Sequence, residues 1–446
     1  MNKKPFTGKN GLTRRDFMKK TTLAAGGGLF LSSLPVGASA YAGGGETLKV
    51  AIIGCGGRGT GAANQALNAD PGVKIVAMAD LFRDRIDSSY NALAQRHLET
   101  GRLDVPEEHK FVGFDAYKHA TALADVVILT APPGFRPDHF EEAVKAGVHM
   151  FIEKPVATDA PGVRRVLHAA REAREKKLNM VLGLQRRYQN NYRETYKRIL
   201  DGEVGDIISG QVYWNDGGVW VREREPDMSE VEYQIRNWFY FTWLAGDHIL
   251  EQNIHNIDVA NWFIGEYPET AQGMGGREVR IDKKYGQIFD HHFVEYTYPS
   301  GAIIAAQCRH QQNTFSRVAE AFQGTLGNVN TDSSHNAIIR DRNGIIRYDH
   351  DGTDNPNPYQ QEHDELFAAI RKGEVIDDID YGAKTTLTAV MGRMATYSGQ
   401  MISWDEALNS DAQLMPDYTG WDMEPPVLPD ENGYYPVPVP GVSRPH

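Results

Sequence analysis

The chain reads as an α/β protein: an N-terminal doubly wound parallel sheet, followed by an α+β domain with an open, largely antiparallel sheet. Three observations predict this. Short β-branched apolar runs alternate with amphipathic stretches up to Gln185, the texture then turns to aromatic-rich alternating segments, and a glycine-rich turn directly follows the first run. The length of 446 residues suits two or three domains at roughly 100 to 200 residues each. With 41% hydrophobic and 24% charged residues and only 2 Cys, disorder, collagen-like repeats and a disulfide scaffold are excluded.

The first forty residues read as a targeting segment. Thr13-Arg14-Arg15-Asp16-Phe17-Met18-Lys19-Lys20 has the twin-arginine pattern, a weakly apolar stretch follows, and Ala38-Ser39-Ala40 is an A-x-A cleavage site. The apolar run from Thr21 to Leu34 is too short to cross about 30 Å of hydrocarbon and contains three consecutive glycines. Export through the twin-arginine pathway, to the periplasm or otherwise out of the cytoplasm, is therefore expected, with no integral membrane segment after cleavage. Without residues 1–40 the chain has 40 basic against 58 acidic residues, so nothing in its charge suits a nucleic-acid partner. Folding before export also makes a disulfide between Cys55 and Cys308 unnecessary.

Along the remaining chain, strands are expected at Leu48 to Ile53, Lys74 to Ala79, Val126 to Thr130, His149 to Ile152 and Met180 to Leu184. Helices are expected at Pro137 to Ala146 and Ala160 to Lys176, giving the βαβ alternation of a parallel sheet. Later strands are read at Ile207 to Trp214, His292 to Tyr298 and Ala302 to Cys308, and late helices in HDELFAAIRKG and at Ala383 to Gln400. The expected organisation is a signal peptide over 1–40, a nucleotide-binding domain over 47–185, a substrate and oligomerisation domain over 186–408, and an extended tail over 409–446.

In VAIIGCGGRG, Gly54, Gly56 and Gly59 form G-x-G-x-x-G between a strand and a helix-compatible run. Such glycines permit the tight turn and let pyrophosphate approach backbone N–H groups at a helix N-terminus. Asp80 ends the next strand twenty-one residues after the third glycine, where a carboxylate accepts hydrogen bonds from ribose hydroxyls. Dinucleotide binding on a Rossmann domain follows. Asp80 favours NAD because a carboxylate repels a 2′-phosphate, while the nearby Arg83 and Arg85 leave NADP open.

Glu153-Lys154-Pro155 stands at the C-terminal end of a strand, the edge where open parallel sheets bind ligands. With the glycine turn, Ala131-Pro132-Pro133 and AGVHMFIEKP, the chain resembles the glucose-fructose oxidoreductase and inositol dehydrogenase family (Gfo/Idh/MocA) over about residues 47 to 408. QRRYQNNYRETYKRILDGEVGDI is similar to that family's linker into its second domain. The expected cofactor contacts are Gly54, Gly56, Gly57, Arg58, Gly59, Asp80, Pro133, Glu153 and Lys154. A lysine at this edge supplies a cation and donor beside a nicotinamide, suited to a developing alkoxide. The resemblance implies that role for Lys154.

GDHILEQNIHNIDVANWFIG reads as a helix whose 100° steps put His248, Glu251, His255 and Asp258 on one stripe. The resemblance implies that His255, in H-x-x-D, moves the substrate's hydroxyl proton. The family usually has Asp where Glu251 stands, which leaves the part played by Glu251 in catalysis open. Metal is not expected: His248, Glu251 and His255 lack H-E-x-x-H spacing, and His291 and His292 point to opposite faces of a strand.

Tyr213, Trp214, Trp220, Arg222, Arg236, Asn237 and Trp238 crowd a short span. Aromatic faces stack on sugar C–H surfaces, and Arg and Asn bond hydroxyls, so the composition suits a carbohydrate; it equally suits an oligomer interface or a core. Arg186 and Tyr188 join Trp214, Trp220, Arg236, Trp238 and His248 as expected substrate contacts, the first two by resemblance to the linker. The resemblance also implies a homo-oligomer, dimer or tetramer.

Outside the cytoplasm no pool of free nicotinamide is replenished, so an exported dehydrogenase must hold its NAD tightly and regenerate it in place. The expected activity is hydride transfer between a sugar or glycoside carbon and that cofactor. The alternative is an NAD-dependent glycosidase working by oxidation, elimination, hydration and re-reduction, which starts from the same hydride step.

Overall fold

The computed structural model describes residues 47–445 apart from Asp354 and Thr419. The export expectation rests on residues 1–40 and lies outside the described residues. Among the described residues no helix is long and apolar enough to cross a membrane.

Six strands, β1 (Leu48–Ile53), β2 (Val73–Asp80), β3 (Lys110–Val112), β4 (Val126–Leu129), β5 (His149–Ile152) and β6 (Met180–Leu182), form a parallel sheet in the order β3-β2-β1-β4-β5-β6. That is the doubly wound order of a Rossmann domain, and its reversal between β1 and β4 opens a crevice at the carboxyl ends. The central strands are buried on both faces, which is why LKVAII and VVIL read as continuous apolar runs. The helices α1 (Gly57–Ala69), α2 (Arg83–His97), α3 (Ala116–Thr121), α4 (Arg136–Ala146) and α5 (Ala160–Glu175) connect them. Local chemistry sets the ends: Asp159 caps α5 by accepting from the Gly162 amide at 2.8 Å, and Gly147 closes α4 in the left-handed region at φ 75°.

The second sheet has nine strands in the order β14-β13-β12-β11-β7-β10-β9-β8-β15. They are β7 (Ile207–Asp216), β8 (Thr270–Gly276), β9 (His291–Thr297), β10 (Ile303–His310), β11 (Arg317–Gly324), β12 (Gly327–Asp332), β13 (Ala337–Asp341), β14 (Ile346–His350) and β15 (Ile402–Ser403). Among the described strands of this sheet, only β7 and β10 pair in parallel. The helices of this half are α6 (Asn190–Leu200), α7 (Glu230–Arg236), α8 (Thr242–Ala245), α9 (Ile254–Ile264), α10 (Pro358–Lys372), α11 (Ile379–Ser398) and α12 (Trp404–Leu408). Apolar residues on the inner face, such as Val294, Tyr296, Ile304 and Ala306, share one core with α9 and α11. Helix α10 instead returns to the first sheet, where Leu366, Phe367 and Ile370 pack with Ala62, Ala66 and Phe151.

One buried imidazole and one half-buried imidazole link the first sheet's stability to pH. Burial lowers His139 to about 3 and His149 to about 4 from an ordinary 6.5, and His149 Nδ1 accepts the Asn179 amide at 2.9 Å, which requires the neutral ring. Because the folded values are depressed, the unfolded chain takes up protons first. Stability present above about pH 6.5 is lost as pH falls through that value toward 4. We expect the melting midpoint to drop by roughly 5 °C or more between pH 7 and pH 5, and His149→Gln to flatten the profile; a flat wild-type curve would contradict this.

Candidate active site

The nucleotide end of the crevice is built by glycines. Gly54 turns the chain out of β1 at φ 97°, and a Cβ there would lie 2.4 Å from the Ala131 amide nitrogen. A Cβ on Gly59 would sit 2.0 Å from the Gly54 carbonyl oxygen, so these two positions seat α1 against the sheet. At Gly56 and Gly57 an added Cβ would meet nothing within 4 Å. Helix α1 starts there without a side-chain cap, and its first N–H groups are left for an anion, which fits pyrophosphate. Gly59→Val should weaken NAD binding at least about tenfold, read by fluorescence titration; unchanged affinity would refute the packing role.

Asp80 sits beside this turn. Its Oδ2 accepts the Cys55 amide at 2.7 Å and its Oδ1 the Phe82 amide at 3.0 Å, which fixes the carboxylate and leaves lone pairs for ribose hydroxyls. Arg85 lines the same crevice, whereas Arg83 turns outward to Asp87 at 2.9 Å and to Glu107. Arg58 is held by Glu153 and, at 3.3 Å, by Glu362. Its charge therefore ties the start of α1 to the end of β5. Pro133 is buried, while Ala131 and Pro132 face the crevice.

At the reactive end, Lys154 follows β5 and its Nζ donates to the Glu251 carbonyl and, at 3.0 Å, to Glu251 Oε2. Glu251 lies in a π-helical turn, Ile249–Asn253. Burial raises its carboxyl above the usual range against the pull of Lys154. His255, in the first turn of α9, faces Trp214 with ring centroids 5.7 Å apart. Burial, reinforced by the charges of Lys154 and Arg186, holds its imidazole well below the ordinary value, so the ring is neutral. Its Nδ1 has no hydrogen-bond partner among the described residues. A fixed ammonium and a neutral imidazole close enough to feel its charge can polarise a hydroxyl and take its proton.

The single helical stripe expected of His248, Glu251, His255 and Asp258 does not form. The π turn adds a residue to the repeat and rotates what precedes it. His248 consequently turns away from the Lys154–Glu251 pair into a cluster with His310 and His292, at centroid distances of 4.3 and 4.8 Å. Asp258 is taken by Arg187, at 2.7 and 2.9 Å, and by Thr385 at 3.0 Å.

Several expected substrate contacts also lie elsewhere. Trp220, Arg236 and Trp238 line the nucleotide crevice with Arg222, because the loop after β7 folds back over Asp80 and Phe82. The Arg236 guanidinium lies 3.8 Å from the Phe82 ring centroid. The Tyr188 hydroxyl donates to Asp378 at 2.6 Å within a core, whereas Arg186, buried and paired with Glu320, stays near the reactive end, 5.9 Å from the centroid of the Trp214 ring that faces His255. Trp214 alone of the aromatic group stands by His255. Arg136 was not singled out in the sequence: fully buried, with its pKa lowered to about 10 by desolvation, it donates to the carbonyls of Ala131 and Pro155 and so joins the ends of β4 and β5. Nothing in its local spacing marks that long-range role.

Residues 48–180 match the family model described as the Gfo/Idh/MocA oxidoreductase family, NAD-binding Rossmann fold. An inositol 2-dehydrogenase of Rhizobium meliloti (strain 1021) is 24% identical over 344 residues, 74% of this chain and 91% of that protein. An inositol 2-dehydrogenase of Acidiphilium cryptum (strain JF-5) is 28% identical over 52% of this chain and 59% of its own length. Among solved structures, an aldose-aldose oxidoreductase from Caulobacter crescentus, complexed with glycerol, superposes with a TM-score of 0.62 at 19% identity, covering 80% of this chain and all of that one. The family match covers the first sheet alone, whereas the superposition takes in 80% of the chain.

Proposed function

We propose that this chain, whose residues 48–180 match the Gfo/Idh/MocA oxidoreductase family model, is an exported, NAD-dependent oxidoreductase moving hydride between a hydroxyl-bearing carbon of a sugar or polyol and a tightly held cofactor. The observation that carries this reading is the Lys154–Glu251 pair beside neutral His255, at the end of a strand that Glu153 and Arg58 tie to the glycine turn. Gly56, Gly57 and Asp80 would hold the pyrophosphate and ribose. Bound there, the nicotinamide would supply hydride chemistry. Lys154 donates a hydrogen bond to the reacting oxygen and stabilises its negative charge, Glu251 holds that ammonium in place, and His255 takes up the hydroxyl proton and returns it in the reverse direction. Asp80 supports NAD over NADP, and the twin-arginine segment supports export. The outward face of the second sheet, with Met274 and Ile303 exposed, supports pairing with another copy.

Tight retention has its own support. Trp220 and Trp238 meet edge to face at 5.9 Å over the crevice, and Trp421 of the tail lies against Phe82 and Phe114, at 5.2 and 5.0 Å. Denaturing the purified protein should release close to one nicotinamide nucleotide per chain. Trp238→Ala and Trp421→Ala should each speed its loss about tenfold, the effect of some 1.4 kcal/mol of lost stacking. Protein that neither carries nor binds the nucleotide would end the proposal. An aryl glycoside that liberates its phenol without net reduction of the cofactor would redirect it to the redox-neutral glycosidase.

A further inference from the structure

Strand alternation points His292 into the core while His291 stays half-exposed. Asp247, held at φ 81°, and His248 meet it there, and all three are buried. The hydrogen bonds around them can be counted. The Thr396 hydroxyl, 3.1 Å from the carbonyls of Gly392 and Arg393, stands 2.9 Å from Nδ1 of His292. Nε2 of His292 lies 3.2 Å from Oδ2 of Asp247. That oxygen already accepts from the Tyr397 hydroxyl at 2.5 Å and the Phe289 amide at 3.1 Å.

At this distance Nε2 of His292 and Oδ2 of Asp247 share either a proton or a metal ion. His248 decides which. Its ring is fully buried, and neither nitrogen has a hydrogen-bond partner among the described residues. A proton on His292 leaves that ring unsatisfied; a metal ion satisfies it together with the other two groups. We propose that Asp247, His248 and His292 form a closed site for one divalent ion of the zinc class.

One ligand atom from each residue lies within 4.8 Å of the others. Bonds of about 2.1 Å to a common centre ask for a closure of roughly an ångström, which His248, held by no hydrogen bond at its ring, can supply. Two imidazoles and one carboxylate suit zinc, whereas magnesium and calcium seek oxygen. Thr396 and Tyr397 orient the ligands from behind, as outer partners do in metal sites. Unlike the grouping of His248, Glu251 and His255 that helical spacing suggests, these ligands come from a turn and from a strand distant in sequence. The ion would fasten the turn preceding the π segment to β9, and thereby the backbone that carries Glu251.

The test uses full-length protein without a histidine tag, purified without chelator and analysed by mass spectrometry for metals. About one zinc per chain is expected, lost in both His248→Ala and His292→Ala. If those variants do not fold, the wild type serves: dipicolinate should lower its melting midpoint, and Zn²⁺ but not Mg²⁺ should restore it. Wild-type protein that holds no transition metal, takes none up when incubated with Zn²⁺ and melts unchanged in chelator would overturn the site. Zinc retained by both histidine variants would do the same.

Discussion

Lys154→Met should slow hydride transfer by about 10² or more while the nucleotide stays bound. The nearest partner of the ammonium is Glu251, whereas the phosphate-facing glycines belong to another element, so the loss falls on the reacting oxygen and spares the cofactor. The substitution has two electrostatic side effects with defined signs. Lys154 is one of the charges that depress His255; without it the imidazole becomes easier to protonate, and the acid limb of the pH–rate profile moves to higher pH. Lys154 also restrains the upward shift of Glu251, so the carboxyl rises further and becomes neutral more readily. Lys154→Met with Glu251→Gln separates these consequences from catalysis: it should recover stability and leave the rate defect. A double variant with near-normal turnover would remove Lys154 from the chemistry.

His255→Ala should bring a comparable loss of about 10² in the hydride step, with KM changed far less than kcat. The neutral ring is buried beside Trp214, and its Nδ1 has no partner among the described residues. Its removal leaves a space that a small base can enter. Added imidazole should restore part of the rate in His255→Ala and none in Lys154→Met. Because the wild-type ring sits well below its ordinary value, wild-type turnover should not fall as pH passes downward through 6.5. A descending limb centred there would contradict a depressed His255. Failure of imidazole rescue, with turnover near normal, would refute the proton-transfer role.

Most of the scaffold was legible because its determinants are local. The glycine turn, the apolar run of β1 and the acid at the end of β2 lie within 33 residues, Leu48 to Asp80, and each has one physical reading. The outer strands β12 to β14 were missed. NVNTD and AIIRD carry too few apolar residues to show a period of two, and they form because β11 offers them an edge. The return of α10 to the first sheet is a long-range choice, made by Leu366 and Phe367 finding α1. At the site, Lys154, Glu251 and His255 could be named from motif position, but the direction of His248 could not: a five-residue π turn looks like an ordinary helix in sequence. The aromatic cluster was ambiguous for a related reason. Composition selects stacking surfaces without saying whether sugar or nucleotide lies beneath them, and only the fold brings Trp220 and Trp238 over the crevice.

The central claim is a captive nicotinamide whose hydride step depends on Lys154 and His255 together. Rapid mixing of cofactor-loaded protein with a panel of inositols, hexoses and glycosides, followed by the near-ultraviolet absorbance of reduced nicotinamide in a single turnover, tests it most directly. With at least one polyol or sugar, a burst of close to one reduced cofactor per chain is expected in the wild type and none on that timescale in Lys154→Met or His255→Ala. A burst of equal size and rate in either variant would contradict the claim.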